Sequence, residues 1–207
     1  YFLKVDEPAK FRDSIRLPAV NSNAFATMTV PSSVLAAGQS VQLELGTTEP
    51  MRPLLLSAAC RGVEIARLPI ISTQGTHVVT LPLPENADGV IRLSLYDYST
   101  SMPQMLAQRL IYRQPARRLM ISAQPITDGA KRTLDLLLTD ETGKPAPAAL
   151  QARALPAGAE QATNTGLVAE FYLAPDIRSA EAIGDLDRFL EETPEAKANL
   201  ALLLGAR

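Results

Sequence analysis

From Phe25 onward, apolar and polar residues alternate with a period of two in short stretches, each closed by a proline or a glycine. Successive side chains of a strand point to opposite faces, so the pattern predicts half-buried β-strands. Ala26-Thr27-Met28-Thr29-Val30 alternates and stops at Pro31. After Gly38, the run Val41-Gln42-Leu43-Glu44-Leu45 places Val41, Leu43 and Leu45 on one buried face. Leu54 to Cys60 is continuously apolar between Pro53 and the Arg61-Gly62 turn. Such a run fits a strand covered on both sides, and also a buried helical turn. Further strands are expected at Val63 to Leu68, Thr76 to Leu81, Gly89 to Tyr96 and Leu106 to Tyr112. Tyr1 to Val5 reads as the end of an earlier strand, with a polar connection through Pro8 and Pro18. About seven short strands in about 90 residues, with turn residues between them, predict an antiparallel sandwich.

The pattern then restarts. Gly38 to Leu45 aligns with Gly129 to Leu136, an offset of 91 to 93 residues. A strand ending in proline precedes each glycine (Met28 to Pro31; Met120 to Pro125), and a turn with an apolar run follows each, from Leu54 and from Ala148. Thr139 to Pro145 carries the Asp, Gly and Pro of a tight reversal. A period this long matches tandem domains and is too long for a solenoid. The linker is placed at Gln114-Pro115-Ala116-Arg117. Leu155 to Gly166 is a loop by composition, and Leu167 to Leu173 is expected to be one more strand. Beyond Pro175, Ile183, Leu186 and Leu190 recur at helical spacing. Thr193-Pro194 reads as an N-cap and first helical position, opening a helix over Glu195 to Leu204 with the stripe Leu200, Leu203, Leu204. The expected fold is therefore mainly β: two tandem antiparallel β-sandwiches with a C-terminal helical hairpin. Residues 1–21 end a preceding domain or linker, 22–114 form the first sandwich, 117–175 a second that is partial or interrupted, and 176–207 the helical segment.

Composition narrows the function classes. Aromatic residues make up 5% and Trp is absent, so the core must be built from Leu, Val, Ile and Ala. A formal net charge of −2 argues against nucleic-acid binding, which needs a surplus of Lys and Arg on one face. One Cys and one His exclude a Cys/His zinc cluster and an intrachain disulfide, and leave the compartment open. No run approaches the roughly 18 apolar residues of a membrane span. The chain opens on Tyr1 without an initiator Met and is expected to be a piece of something longer.

No nucleophile motif such as Gly-x-Ser-x-Gly and no phosphate-cradling glycine loop is present. His77 sits in an alternating strand and reads as an ordinary strand histidine. Cys60 lies in a predicted strand, where alternation turns the neighbouring Arg61 to the other face, so a buried small hydrophobe is expected. Asp135, Asp140 and Glu141 lack the spaced oxygen ligands of a calcium loop and read as a solvated turn. Arg113, Arg117 and Arg118 are expected to solvate the interdomain junction or pair with carboxylates there. The Leu200, Leu203, Leu204 stripe is expected to pack on the sandwich. No catalytic residue, cofactor or metal site is expected.

Leu134 to Ala148, an alternating strand ending in Thr139-Asp140, a Gly143-Lys144-Pro145 corner and a lead-off from Pro147-Ala148, resembles the strand-turn-strand element of alpha-2-macroglobulin-type domains. Gly89 to Asp97 and Ala107 to Arg113 are similar to the closing hairpin of the preceding domain in bacterial relatives. Asp176 to Leu190 and Ala201 to Gly205 resemble a Leu-rich helical insert in those relatives. The resemblance covers most of residues 22–207. It implies a segment of a large periplasmic, cell-surface or secreted protein built from many sandwiches. Some members trap proteases through a Cys–Gln thioester. Here Cys60 has no Glu-Gln after it, and Gly158-Ala159-Glu160-Gln161 has no Cys, so no thioester residue carries over. The expected function is a non-enzymatic structural and interaction module that spaces domains and presents protein-binding surfaces. Its partners would be other domains of the same polypeptide and possible protein ligands. The alternatives are part of a protease-trapping inhibitor, or a carbohydrate- or ligand-binding accessory domain using Tyr96, Tyr98 and Tyr112.

Overall fold

The computed structural model describes residues 2–4, 14–16, 25–117, 119–129, 131–150, 166–177 and 185–205. Over these residues the chain is mainly β, with its helices towards the C-terminus. β1 (Phe2–Lys4) and β2 (Ser14–Arg16) pair antiparallel. There follow β3 (Ala26–Thr29), β4 (Val34–Leu35), β5 (Val41–Thr47), β6 (Pro53–Cys60), β7 (Val63–Ile71), β8 (Gly75–Leu81), β9 (Gly89–Asp97) and β10 (Gln104–Arg113). They form two sheets, one in the order β3-β5-β8 and one in the order β4-β10-β9-β6-β7. All pairings are antiparallel except β4 with the end of β10.

The alternation in the sequence fixes which residues meet between the sheets. β5 buries Val41, Leu43, Leu45 and Thr47 while Gln42 and Glu44 face out. Leu54, Leu56, Ala58 and Cys60 of β6 enter the same core with Ile91, Leu93 and Leu95 of β9 and Ile111 of β10. The Leu54–Cys60 run is thus a strand, and its outward residues are half-covered. Each fully buried Leu, Ile or Val contributes about 1.5–3 kcal/mol over an exposed one.

β11 (Met120–Asp128) and β12 (Lys131–Thr139) form an antiparallel hairpin, and Thr139 bridges to Pro145. The hairpin stands where the repeat places the counterparts of β3 and β5, which also pair antiparallel. Gly38 and Gly129, which align in the repeat, both hold positive φ (74° and 57°). Among the described residues of the second unit, this hairpin is the sheet structure.

Leu167 to Leu173, expected as a strand, is helical: α1 (Leu167–Tyr172). The run is too short for its own pattern to decide, and packing decides instead. Ala169, Leu173 and Ile177 are buried in one cluster while Phe171 between the first two is 54% exposed, a spacing of four that a strand's period of two does not give. Leu186 to Leu190 is a 3₁₀ turn around Asp187–Phe189; Ile183 and the 155–165 loop lie outside the described residues. α2 (Pro194–Gly205) opens where expected, with the Thr193 hydroxyl accepting the Ala196 N–H at 3.1 Å.

One polar corner ties the sandwich ends together. Asp97, 3% exposed, accepts Arg52 Nη2 at 2.7 Å through one oxygen, and through the other the Ser99 N–H and hydroxyl at 2.9 and 2.6 Å. The Arg52 guanidinium stacks 4.5 Å over the Phe25 ring. The Ser72 hydroxyl donates to the Glu49 carbonyl and accepts the Arg52 N–H. Burial opposes the Asp97 charge, but the Ser99 and Arg52 donors prevail, and the carboxyl lies below its ordinary value of 3.8. A carboxyl lowered by folding stabilises the native state above that ordinary value, and the contribution is lost as pH falls through the folded one. Melting followed from neutral pH down to acid should therefore show a drop in Tm below about pH 4. Asp97→Asn should lower Tm at neutral pH and shrink that acid-side drop; an unchanged acid limb would count against the corner.

Candidate functional site

At one end of the larger sheet the outward faces of β9 and β10 carry an apolar patch, and that side needs a cover. Val90 of β9 and Leu110 and Tyr112 of β10 are 2%, 8% and 3% exposed, although they point away from the sandwich core. The helical segment supplies the cover. Ala169, Leu173, Ile177, Leu186, Phe189, Leu200 and Leu204 pack there, with Leu203 partly buried, and α2 lies against β10 and β4. The Leu200/Leu204 stripe thus packs on the first sandwich, while Leu202 stays 72% exposed.

Polar contacts lock this docking. Gly89 holds φ 84°, and a Cβ there would stand 2.7 Å from Tyr172 Cδ1, so the tyrosine fills a notch that only glycine leaves open. Arg61, itself at φ 49°, bonds the Asp88 carboxylate at 2.8 Å and its carbonyl at 3.0 Å. The same guanidinium lies 4.5 Å over Phe171 and 5.2 Å over Tyr172, which meet edge to face. Arg92 reaches Asp176 at 3.1 Å. The Asp187 carboxylate accepts the Gly166 N–H that starts α1. Between these groups lies a cleft of about 490 Å³, lined by Arg61, Arg92, Glu170, Phe171 and Asp176 among others. Its arginines are each committed to an aspartate, so the chemistry here is that of a charged clasp around an aromatic wedge.

The residues singled out from sequence fall into place around it. Cys60 is buried, and its thiol donates to the Asp88 carbonyl at 3.3 Å. Burial pushes that thiol up, against the opposing pull of Arg61, so it is a poor nucleophile. The His77 Nε2 meets the Thr73 hydroxyl at 2.7 Å and the Gln74 carbonyl at 3.3 Å, pinning the β7–β8 turn. Asp140 Oδ1 accepts the Thr142 N–H and hydroxyl and the Lys144 N–H, an Asx-type turn, while Asp135 projects from β12 and Glu141 is exposed. The Thr142 and Lys144 donors lower the Asp140 carboxyl. Arg113 corrects the expected basic cluster: it is 1% exposed, points inward and caps the Pro84 and Glu85 carbonyls at 2.8 and 3.1 Å. Arg117 is exposed, and Arg118 lies outside the described residues, as do Gly158 to Gln161. Tyr112 is buried and Tyr96 half-buried, which leaves Tyr98 as the broadly exposed ring of the three. No group of three or more His, Cys, Asp or Glu able to hold a metal occurs among the described residues, and no helix there is long and apolar enough to cross a membrane. The sequence reading missed Arg61, Asp88, Gly89, Arg92 and Asp176; the adjacent Asp88-Gly89 and Arg61-Gly62 pairs were the available signal.

Compared with models of known protein families and with curated proteins, the chain matches none.

The docking has a direct test. Gly89→Ala puts a methyl against Tyr172 at a strained φ and should cost on the order of 1–3 kcal/mol. Deuterium uptake across residues 166–177 should rise more than across β5. Equal uptake in variant and parent would sink the notch.

Proposed function

We propose that the chain is a non-enzymatic structural and interaction module of a large macroglobulin-like polypeptide, situated in the periplasm, at the cell surface or outside the cell. It spaces sandwich domains and presents surfaces on which other domains of the same polypeptide, or protein partners, assemble.

The observation that supports this is a contrast between aligned positions. At the offset of 91, Leu134, Leu136 and Leu138 correspond to Leu43, Leu45 and Thr47. In the first sandwich these are 0%, 2% and 7% exposed. In the hairpin, Leu134 is 55% exposed and Leu136 and Leu138 are half-buried. Their cross-strand partners are Pro125, Ala123 and Ile121, so this face of the hairpin is apolar up to the Thr127–Arg132 pair at its turn end. An isolated two-stranded hairpin is marginal in water and needs a third strand or a packed layer. A face patterned like a sandwich interior is suited to docking another β-rich segment. The near-neutral charge balance and the hydrogen-bonded His77, Cys60 and Asp140 fit a role in geometry and contact.

Hydrogen exchange across residues 120–139, compared between this chain alone and the longest natural polypeptide that contains it, tests the reading. Protection at least tenfold greater in the longer polypeptide is expected, and Leu134→Ser with Leu136→Ser should abolish the gain. Equally fast exchange in both would overturn the proposal. So would hydrolase turnover that is present in the chain and lost in His77→Ala.

A further inference from the structure

The free edges of the described strands are protected unequally. β7, the edge of the larger sheet, carries Pro69, which has no N–H to donate, the Glu64–Arg67 ion pair, and a bulge opposite Ala58 and Ala59. β3 is four residues long and its strand ends before Pro31. β11 contains Pro125, and β12 contains Arg132 and Asp135. β8 has none of these guards. Its seven residues, Gly75-Thr76-His77-Val78-Val79-Thr80-Leu81, include no proline, lysine, arginine or carboxylate, and β5 is its one strand neighbour among the described residues. The outward side chains are Thr76, Val78 and Thr80, and Val78 is 69% exposed. Such an edge holds a row of unpaired backbone N–H and C=O groups that only another extended backbone can satisfy.

The order of side chains selects the occupant. Read in either direction about Val78, the outward face is Thr, Val, Thr, so an antiparallel copy of β8 is its own complement. Val78 would meet Val78, and Thr76 would meet Thr80, with Leu81 facing Gly75 on the inner side. Cross-strand Thr–Thr and β-branched pairs are each worth about 0.2–1 kcal/mol. Charge does not oppose the pairing. The nearest outward carboxylate, Glu44, neighbours Val78 on β5. Two Glu44 side chains would stand three strand spacings apart, roughly 14 Å at about 4.8 Å each, beyond the Debye length of about 8 Å at physiological salt.

We propose that β8 is a homotypic pairing edge: two copies of this chain join β8 to β8, antiparallel about Val78, into a continuous six-stranded sheet β3-β5-β8-β8-β5-β3. The contact is isologous, and the short β3 at either end stops further growth, so the product is a closed dimer and not a fibre. Two seven-residue edges bury less than the roughly 1,200 Å² of a standard interface, so the dimer is weak and concentration-dependent. This inference is independent of the proposed function, because it concerns a different strand and a different partner.

Sedimentation velocity on the whole chain from about 10 µM to about 1 mM spans the affinities open to so small an interface. The weight-average mass should rise towards that of two copies, and amide protection within residues 76–80 should rise with it. Val78→Lys and Thr80→Lys, both on exposed outward positions, should each weaken association at least tenfold while leaving Tm within a few degrees. Val63→Lys on the guarded edge and Leu134→Glu on the hairpin face should leave it unchanged. A monomer at every concentration overturns the proposal, as does a dimer that survives Val78→Lys or dissolves on Leu134→Glu.

Discussion

The structure turns on one constraint: the sheet formed by β9 and β10 carries an apolar patch on its outward face as well as the core on its inward one, and must be covered twice. Its inward residues Ile91, Leu93 and Leu95 are fully buried beneath the three-stranded sheet. Its outward Val90, with Leu110 and Tyr112 beside it, would leave an apolar patch in water if the sandwich were the whole fold. α1, the 3₁₀ turn and α2 answer that demand. The polar contacts around them are subordinate to it: Arg61 and Asp88, Arg92 and Asp176, and the Gly89 notch set the register in which the apolar surfaces meet. Ion pairs at exposed or half-exposed positions are worth little on their own. Shape at Gly89 and area at Leu173, Leu200 and Leu204 carry more of the energy.

Covering β9 from so far along the chain is less costly than it looks. Arg92 and Asp176 are 84 residues apart in sequence. The entropy of closing a long loop grows only logarithmically, about 0.6 kcal/mol per doubling of length. The β11–β12 hairpin therefore rides within a segment tied at both ends. Gln114 donates to the Leu35 carbonyl at its start, and Gly166 is held by Asp187 at its end. The sandwich that closes the loop also limits where the hairpin can present its apolar face.

Much of this was legible in the sequence because strands report their burial through period two. β3 and β5 to β10 fall where alternation or apolar runs place them, and Thr193-Pro194 marks the start of α2. β4 was invisible, since two residues carry no period, and it exists only because the end of β10 offers a parallel partner. α1 was misread for a related reason. Leu167 to Leu173 is mostly apolar at strand length, and the burial of Ala169 and Leu173 with Phe171 exposed between them marks it as a helix. The clasp was harder still. Arg61, Arg92 and Asp176 form no motif and meet through tertiary structure, while Arg113, grouped with Arg117 by proximity in sequence, is turned inward by the strand it ends.

The repeat shows the limit of such reading most clearly. A period-two pattern says which face of a strand is apolar and nothing about what will cover it. For Leu43 and Leu45 the cover comes from β6, β9 and β10, all supplied by the next 70 or so residues, the length an antiparallel sandwich of short strands requires. For Leu134 and Leu136 the described residues that follow turn helical and return to the first sandwich, where β9 takes them up. Three leucines left partly in water forgo several kcal/mol at about 1.5–3 each, a large share of the 5–15 kcal/mol that stabilises an ordinary domain. The sequence keeps that face patterned for burial, and among the described residues no layer covers it as β6, β9 and β10 cover Leu43 and Leu45.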